Sequence, residues 1–202
     1  MRDSVMLTLN LLRLGATVLV GCILSGCAPP EATPASGTSA SQSMRNNCCS
    51  LLSQLLHEEA DVSILRFIKR ERPDLKSLIK KIAAKSGTDA KVLQELAKHD
   101  PSYKLDDIQL PPGEAATRGA IAATEKHELL GQTGDTFELT LLLTQAQALS
   151  YAWHLAEVAG NNEPEPGRAR ALAAVSLDMQ DLHREVFALL LSNATASDPK
   201  KK

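Results

Sequence analysis

The fold is decided by residues 134–159, which have the sequence GDTFELTLLLTQAQALSYAWHLAEVA. Apolar side chains recur there every three or four positions, the spacing that places them on one face of an α-helix. That face consists of Phe137, Leu141, Ala148, Leu149, Ala152, Leu155 and Ala159. Gly134 and Asp135 begin the predicted helix and Gly160 ends it, so we expect one long amphipathic helix in this stretch.

The same spacing predicts four further helices on either side of it. They cover 46 or 47 to about 70, 73 to about 99, about 113–130 and about 166–192. In the second of these the apolar phase continues through Gly87, which favours one long helix over two. No segment shows a sustained alternation of β-branched and polar residues, so we expect no sheet.

Composition excludes several classes of protein. The chain has 202 residues, of which 44% are hydrophobic and 3% aromatic, with a net charge of -2. It is too hydrophobic and too evenly charged to be wholly disordered, and its few aromatics argue against a β-sandwich or barrel. It is not basic enough for a nucleic-acid binder, so we expect no nucleic-acid partner.

Four long helices with a short one in the longest connection predict a four-helix bundle. This is the ferritin-like up-down topology, with one long crossover carrying a short extra helix. The segments LPPGE at 110–114, LLGQTGDTFE at 129–138 and LHREV at 182–186 accompany this pattern. With them, residues 47–192 resemble an uncharacterised family of secreted or outer-membrane bacterial proteins with a ferritin-like bundle. The resemblance implies a fold and no particular function.

The N-terminus has the features of a targeting segment. Arg2 and Arg13 precede the apolar run LGATVLVGCIL, and LSGC follows at residues 24–27. This tetrapeptide resembles the bacterial lipobox, which implies that residues 1–26 are removed and that Cys27 carries the lipid. Ala28 resembles an outer-membrane address, so we expect a lipid-anchored protein that faces the periplasm. An ordinary secretory signal and an N-terminal anchor helix are the alternatives.

Four segments follow from these features. Residues 1–26 are the signal peptide, and 27–45 are the lipidated cysteine with a flexible linker rich in Pro, Ala, Ser and Thr. Residues 46–195 form the helical-bundle domain. Residues 196–202 form a polar, disordered tail.

Helical phases place four polar side chains on inward faces: Glu59, Asp89, Gln145 and His183. We predict a buried polar cluster, in which His183 is a hydrogen-bonded core histidine and the groups satisfy one another. Binding of a divalent metal is the alternative, since histidine and carboxylate suit such ions. The Glu-x-x-His pairs of a di-iron site do not occur in the sequence. We therefore expect no metal and no cofactor.

Other residue patterns carry weaker signals. The sequence has no nucleophile-elbow or phosphate-loop motif, so we assign no catalytic residue and expect no enzyme. The basic stretch 66–81 predicts a solvated face or a contact with an anionic membrane or envelope polymer. Cys48 and Cys49 are expected to be buried, with an intermolecular disulfide as the alternative. Arg118, Glu125, Arg168 and Arg170 are expected to form surface ion pairs.

Together these features predict a lipid-anchored cell-envelope protein. Its helical bundle would have a structural or interaction role, with another envelope protein or polymer as partner. The alternative is a ferritin-like metal-binding protein that handles metal ions or oxidants.

Overall fold

The structure is a computed structural model that describes residues 37–62 and 72–196. These residues form five α-helices and contain no strand. The helices are α1 (Gly37–Asp61), α2 (Pro73–His99), α3 (Pro112–Gly131), α4 (Gly134–Asn161) and α5 (Pro166–Ala196). The predicted all-α fold is confirmed for this part of the chain.

Helices α2 to α5 begin and end within a few residues of the predicted positions, because local signals mark their ends. Pro73 occupies the first turn of α2, where its missing N–H costs nothing. α2 continues through Gly87 as one helix, as predicted. At the start of α4, Gly134 has a φ of 60°, a conformation that glycine adopts without the steric cost of a side chain.

The predicted start of α1 at Asn46 or Asn47 is wrong. The helix begins at Gly37, so residues 37–45 of the predicted linker are helical. The reason is tertiary: Arg45 is buried and bonds to Glu163, 118 positions away, which no local composition could indicate. α1 ends at Asp61, and the rest of its predicted length, 63–70, lies outside the described residues.

The four long helices pack side by side. α1 packs against α2 and α4, α5 packs against α4 and α2, and α3 packs mainly against α4. At one end of the domain, Arg45 near the start of α1 bonds to Glu163 in the α4–α5 connection. At the other end, Arg72 before α2 bonds to Glu138 near the start of α4 and to Asn193 late in α5. Neighbouring long helices are therefore antiparallel.

The core between these helices is built from Leu, Ile and small side chains. Its largest fully buried members are Phe137, Leu52, Leu56, Leu75, Ile79, Ile82, Leu93, Leu141, Leu142, Leu149, Leu172 and Met179. Burying each of them stabilises the domain by about 1.5–3 kcal/mol. α3 contributes one buried side chain, Leu129, so it is the least firmly held helix.

Candidate functional site

Glu59 and Gln145 form a buried polar contact between α1 and α4. Glu59 is 7% exposed and Gln145 is 2% exposed, and the side chain of Gln145 hydrogen-bonds to the carboxyl group. One oxygen of each, Glu59 Oε2 and Gln145 Oε1, has no hydrogen-bond partner. Burial raises the pKa of Glu59 to about 7, and the bond from Gln145 only partly opposes this. Burial therefore favours the neutral form of Glu59 over its ionised form.

The charges that act on Glu59 are acidic. Glu58 on the same helix and Glu125 on α3 both raise its pKa further. The pKa of Glu125 is itself raised, first by burial and then by Glu128. Carboxyl groups of α1 and α3 therefore act together on the buried Glu59.

Asp89 lies in different surroundings, on the side of α2 that packs against α5. Its Oδ1 is 3.8 Å from Nζ of Lys85, which also pairs with Asp178 of α5. Asp89 Oδ2 and Ser86 Oγ have no hydrogen-bond partner. Burial raises the pKa of Asp89 to about 7, while Lys85 lowers it and Asp178 raises it. Asp89 and Glu59 therefore respond to different neighbours.

His183 contacts aromatic rings. Its ring centroid lies 5.3 Å from that of Trp153, edge to face, and 4.7 Å from that of Phe187. Trp153 also stacks on His154 at 4.3 Å. The pKa of His183 is lowered, first by burial and then by His154. His183 is half-buried and belongs to the outer side of α4 and α5, so its predicted place among the interior polar groups is wrong.

The predicted cluster is thus divided into three parts. The structure brings Glu59 and Gln145 together, places Asp89 beside Lys85, and places His183 beside Trp153. The interpretation that the groups satisfy one another holds only for the single Glu59–Gln145 hydrogen bond, since oxygens on Glu59, Asp89 and Gln145 remain unpaired. Within residues 37–62 and 72–196, no three His, Cys, Asp or Glu side chains are arranged to hold a metal ion.

A second buried charged group was not predicted from the sequence. Arg45 Nη1 lies 2.8 Å from Glu163 Oε2, and the two side chains are 4% and 0% exposed. Arg168 Nη2 lies 2.8 Å from Glu163 Oε1 and 3.4 Å from Asp100 Oδ2. The Tyr103 hydroxyl donates to Glu163, and the Arg45 guanidinium lies 4.2 Å from the centre of the Tyr103 ring. We call these five residues the Glu163 network.

Ionised Glu163 is the stable form in this network. Burial alone would raise its pKa, but hydrogen bonds from Tyr103, the Glu165 N–H, Arg168 and Arg45 outweigh burial, and its pKa is lowered. The pKa of Tyr103 is raised, first by burial and then by its bond to Glu163. The expectation that Arg168 makes only a surface ion pair is wrong, because its partner is fully buried.

The cysteines lie next to this network. Cys49 is fully buried and free, as expected, and Cys48 is half-buried and free. Burial raises the pKa of Cys49 to about 12, so it is a neutral thiol. An intermolecular disulfide through Cys48 stays a prediction.

The predicted basic face is partly neutralised. Residues 66–71 lie outside the described residues, whereas Lys76 and Lys80 on α2 are exposed. Lys81 pairs with Glu185 of α5, and Arg72 Nε lies 2.7 Å from Glu138 Oε2 of α4. Two of the four basic side chains between 72 and 81, Arg72 and Lys81, thus form ion pairs with neighbouring helices.

The outer side of α4 and α5 carries a groove of about 520 Å³. Small residues line it on both helices, and Trp153 and Leu177 stand beside them. The lining residues are Trp153, Glu157, Gly160, Asn161, Ala169, Arg170, Ala173, Ser176, Leu177 and Gln180. The helices approach closely here, since a Cβ at Gly160 would lie 3.5 Å from the Leu172 Cβ.

Exposed apolar side chains extend this groove toward the start of α4. Leu139 and Leu143 are one turn apart on α4, Phe187 and Leu191 are one turn apart on α5, and each is 46–66% exposed. Because α4 and α5 are antiparallel neighbours, the two pairs lie at the same end of the helix pair. The α4–α5 face is defined as the groove together with these four residues.

No family model, curated protein or solved structure matches the chain. The resemblances to bacterial lipoproteins and to a ferritin-like family therefore stay predictions, and Cys27 lies outside the described residues. None of the described helices is long and apolar enough to span a bilayer.

Proposed function

We propose that the chain is a lipid-anchored cell-envelope protein whose helical domain binds a helix of a partner protein through the α4–α5 face. The observation that carries this proposal is the face itself, a groove continued by four exposed large apolar side chains. Contiguous apolar surface on a water-exposed domain marks an interaction site, because leaving it in water is unfavourable.

The proposed architecture is a four-helix bundle of the ferritin-like type. The contacts α1–α2, α2–α5, α5–α4 and α4–α1 close a ring of antiparallel neighbours, which supports it. The chain from the end of α2 to the start of α4 connects opposite ends of this ring, and α3 lies within that connection. One long crossover between two antiparallel pairs is the feature of that topology.

The proposed partner element is an amphipathic helix. Small residues such as Gly160, Ala169 and Ala173 would let its backbone approach closely, while Trp153 and Leu177 would supply large apolar contacts. Buried aromatic anchors of this kind contribute most of the binding energy in helix-in-groove complexes. Glu157 and Arg170 on the groove would orient the partner through charge.

Anchoring would come from Cys27 in the LSGC sequence. Two or more acyl chains hold a protein on a bilayer stably, at about 0.8 kcal/mol for each buried methylene. Gly37 is ten positions after Cys27, and ten residues span at most about 35 Å. The domain would therefore act close to the membrane surface, which we propose is the periplasmic side of the outer membrane.

The metal-binding alternative has less support. Ferritin-like metal sites take Glu and Glu-x-x-His ligands from facing helices. Here Glu59 and Asp89 respond to separate neighbours, and His183 packs against Trp153. The interior polar groups therefore favour metal binding less than the α4–α5 face favours a protein partner.

Anchoring is tested by labelling cells with a radioactive or clickable palmitate analogue. We expect the wild-type chain and the Cys22→Ser control to take up label, since Cys22 lies inside the predicted signal. Cys27→Ser should lose the label. Label retained in Cys27→Ser would contradict lipidation at that residue.

The α4–α5 face is tested by placing a photo-crosslinking amino acid at Leu177 and irradiating intact cells. We expect one discrete adduct with an envelope protein, abolished by Ala173→Arg, which puts a long charged side chain into the groove. Ala122→Arg is the matched control, because Ala122 is exposed on α3 and away from the groove. An adduct that survives Ala173→Arg, or no adduct, would contradict the proposed face.

A further inference from the structure

Four members of the Glu163 network, Arg45, Asp100, Glu163 and Arg168, line a cavity at the end of the domain where α1 begins. The cavity has a volume of about 540 Å³ and lies between α1, the segment after α2 and the α4–α5 connection. Small-molecule sites usually measure roughly 300–1,000 Å³ and present a few polar groups that the fold holds in place. The size and the lining of this cavity therefore fit a small polar ligand.

Glu163 holds the arginines of the cavity in position. Its Oε1 accepts hydrogen bonds from the Glu165 N–H and from Arg168 Nε, at 2.9 and 3.0 Å. Its Oε2 accepts from Arg45 Nη1 at 2.8 Å and from the Tyr103 hydroxyl. Because both oxygens are already occupied, Glu163 is a positioning residue, and the ligand contacts fall to its neighbours.

Arg168 and Asp100 keep hydrogen-bonding capacity at the cavity, and their side chains are 28% and 21% exposed. Arg168 bonds to Glu163 through Nε and Nη2, while its Nη1 makes no hydrogen bond to the described part of the chain. Asp100 Oδ1 accepts the Ser102 N–H at 2.9 Å, and Asp100 Oδ2 lies 3.4 Å from Arg168 Nη2. Since arginine only donates and an ionised aspartate only accepts, the pair presents a donor beside an acceptor.

The charges around the cavity cancel. Two positive and two negative side chains line it, and they are already paired at 2.8–3.4 Å. A ligand with a net charge would lose its hydration there and would meet a like charge beside each opposite one. The cavity therefore favours a neutral ligand whose groups both donate and accept hydrogen bonds.

The rest of the lining narrows the class of ligand. Uncharged polar side chains complete the wall: Ser41, Gln42, Ser102, Asn161 and Asn162. Among the described residues that line the cavity, only Pro164 is apolar, so an apolar peptide side chain would find little to contact. Hydroxyl and amide groups both donate and accept, as the hydroxyl and acetamido groups of a sugar do. This wall is therefore more complementary to a saccharide than to a peptide.

We propose that the cavity binds a neutral saccharide, with Asp100 accepting a hydrogen bond from one sugar hydroxyl and Arg168 donating a hydrogen bond to the adjacent one. Two neighbouring hydroxyls satisfy this pair at the same time, because each of them can donate or accept. The proposal does not depend on the α4–α5 face, since α1 and the segment after α2 line the cavity and do not line that groove.

The test is saturation-transfer NMR of the full chain with the trisaccharide of N-acetylglucosamine as the probe. We expect the wild type to bind it and Asp100→Asn to bind it roughly 10-fold more weakly or worse, because a hydrogen bond to a charged group is lost. Asparagine keeps a side-chain oxygen that can accept the Ser102 N–H, so the loop should keep its shape. Asp106→Asn is the matched control, because Asp106 is exposed in the same connection and does not line the cavity.

A second variant covers the case in which Asp100→Asn does not fold. Gln42→Ala changes an exposed side chain of the lining, and it should weaken binding by roughly 2–10-fold, the usual effect of one neutral hydrogen bond. Inorganic phosphate and trialanine are the comparison probes and should not bind in the cavity. Three results would overturn the proposal: no transfer to the trisaccharide, equal binding by wild type and both lining variants, or binding of phosphate or trialanine that displaces the sugar.

Discussion

The pKa values of two buried glutamates at different levels of this domain, Glu163 and Glu59, shift in opposite directions. Glu163 accepts hydrogen bonds from Arg45, Arg168 and Tyr103, and its pKa is lowered despite complete burial of its side chain. Glu59 is almost as buried but receives a bond only from the amide of Gln145, and its pKa is raised to about 7. Burial thus sets the direction of a pKa shift only where charged partners do not outweigh it.

The difference divides the domain into a fixed end and an adjustable side. The Glu163 network connects the start of α1, the segment after α2 and the α4–α5 connection through charge-assisted bonds. It stays paired across the physiological pH range, because Glu163 is ionised and its arginines are always charged. Glu59 instead changes its charge within that range.

The largest effect should come from breaking the fixed end. Glu163→Gln leaves Arg45 buried without its counter-charge, and removing one partner of a buried pair typically costs about 3–5 kcal/mol. Urea unfolding at pH 7 measures this loss. Glu157→Gln, an exposed position, is the control and should change stability by less than about 0.5 kcal/mol. A loss under about 1 kcal/mol for Glu163→Gln would contradict the importance of the network.

The second-largest change in stability should be a gain, opposite in sign to that of Glu163→Gln. Glu59→Gln should stabilise the domain at pH 8 by on the order of 2 kcal/mol. At that pH Glu59 is ionised in the folded protein, and its burial disfavours the ionised form. At pH 4 both folded and unfolded Glu59 are largely protonated, so the substitution should be nearly neutral. Urea unfolding at the two pH values checks this, and destabilisation at pH 8 would refute it.

Asp89→Asn should give a gain of similar size in the same direction. Its pKa is also raised to about 7 by burial, even though Lys85 opposes the shift. We expect stabilisation on the order of 2 kcal/mol at pH 8 and a much smaller change at pH 4. Asp178→Asn serves as the control on the partner helix. If Asp89→Asn destabilises at pH 8, its attraction to Lys85 outweighs its burial.

The smallest effect concerns the backbone beside Glu59. A Cβ at Gly87 would meet only the Ala60 Cβ, at an ordinary 3.8 Å. Gly87→Ala should therefore stabilise α2 by about 0.5–1 kcal/mol at every pH. Gly134→Ala is the matched contrast, because its φ of 60° strains any side chain by about 1–2 kcal/mol. Thermal unfolding of both variants should show shifts of opposite sign.

Local signals explain which parts of the fold the sequence predicts. Pro73 and Gly134 mark helix starts, and the uninterrupted phase through Gly87 identifies α2 as one helix. The start of α1 was missed because Arg45 is ordered by Glu163, a partner distant in sequence. Composition alone makes residues 37–45 look like a linker.

The polar residues follow the same rule. Helical phase places Glu59, Gln145 and His183 on inward faces, and the predicted burial is confirmed for Glu59 and Gln145. It is wrong for His183, because the neighbouring rings of Trp153 and Phe187 decide its surroundings. The Glu163 network could not be predicted, because Glu163 stands in a Pro- and Asn-rich turn that is typical of exposed loops.

The most direct test is a carbon-13 NMR titration of the glutamate carboxyl groups from pH 3 to pH 9, with assignments from Glu59→Gln and Glu163→Gln. The Glu59 signal should titrate near pH 7, and the Glu163 signal should titrate below its ordinary value of 4.5. If both signals titrate near 4.5, the contrast between the fixed end and the adjustable side is contradicted.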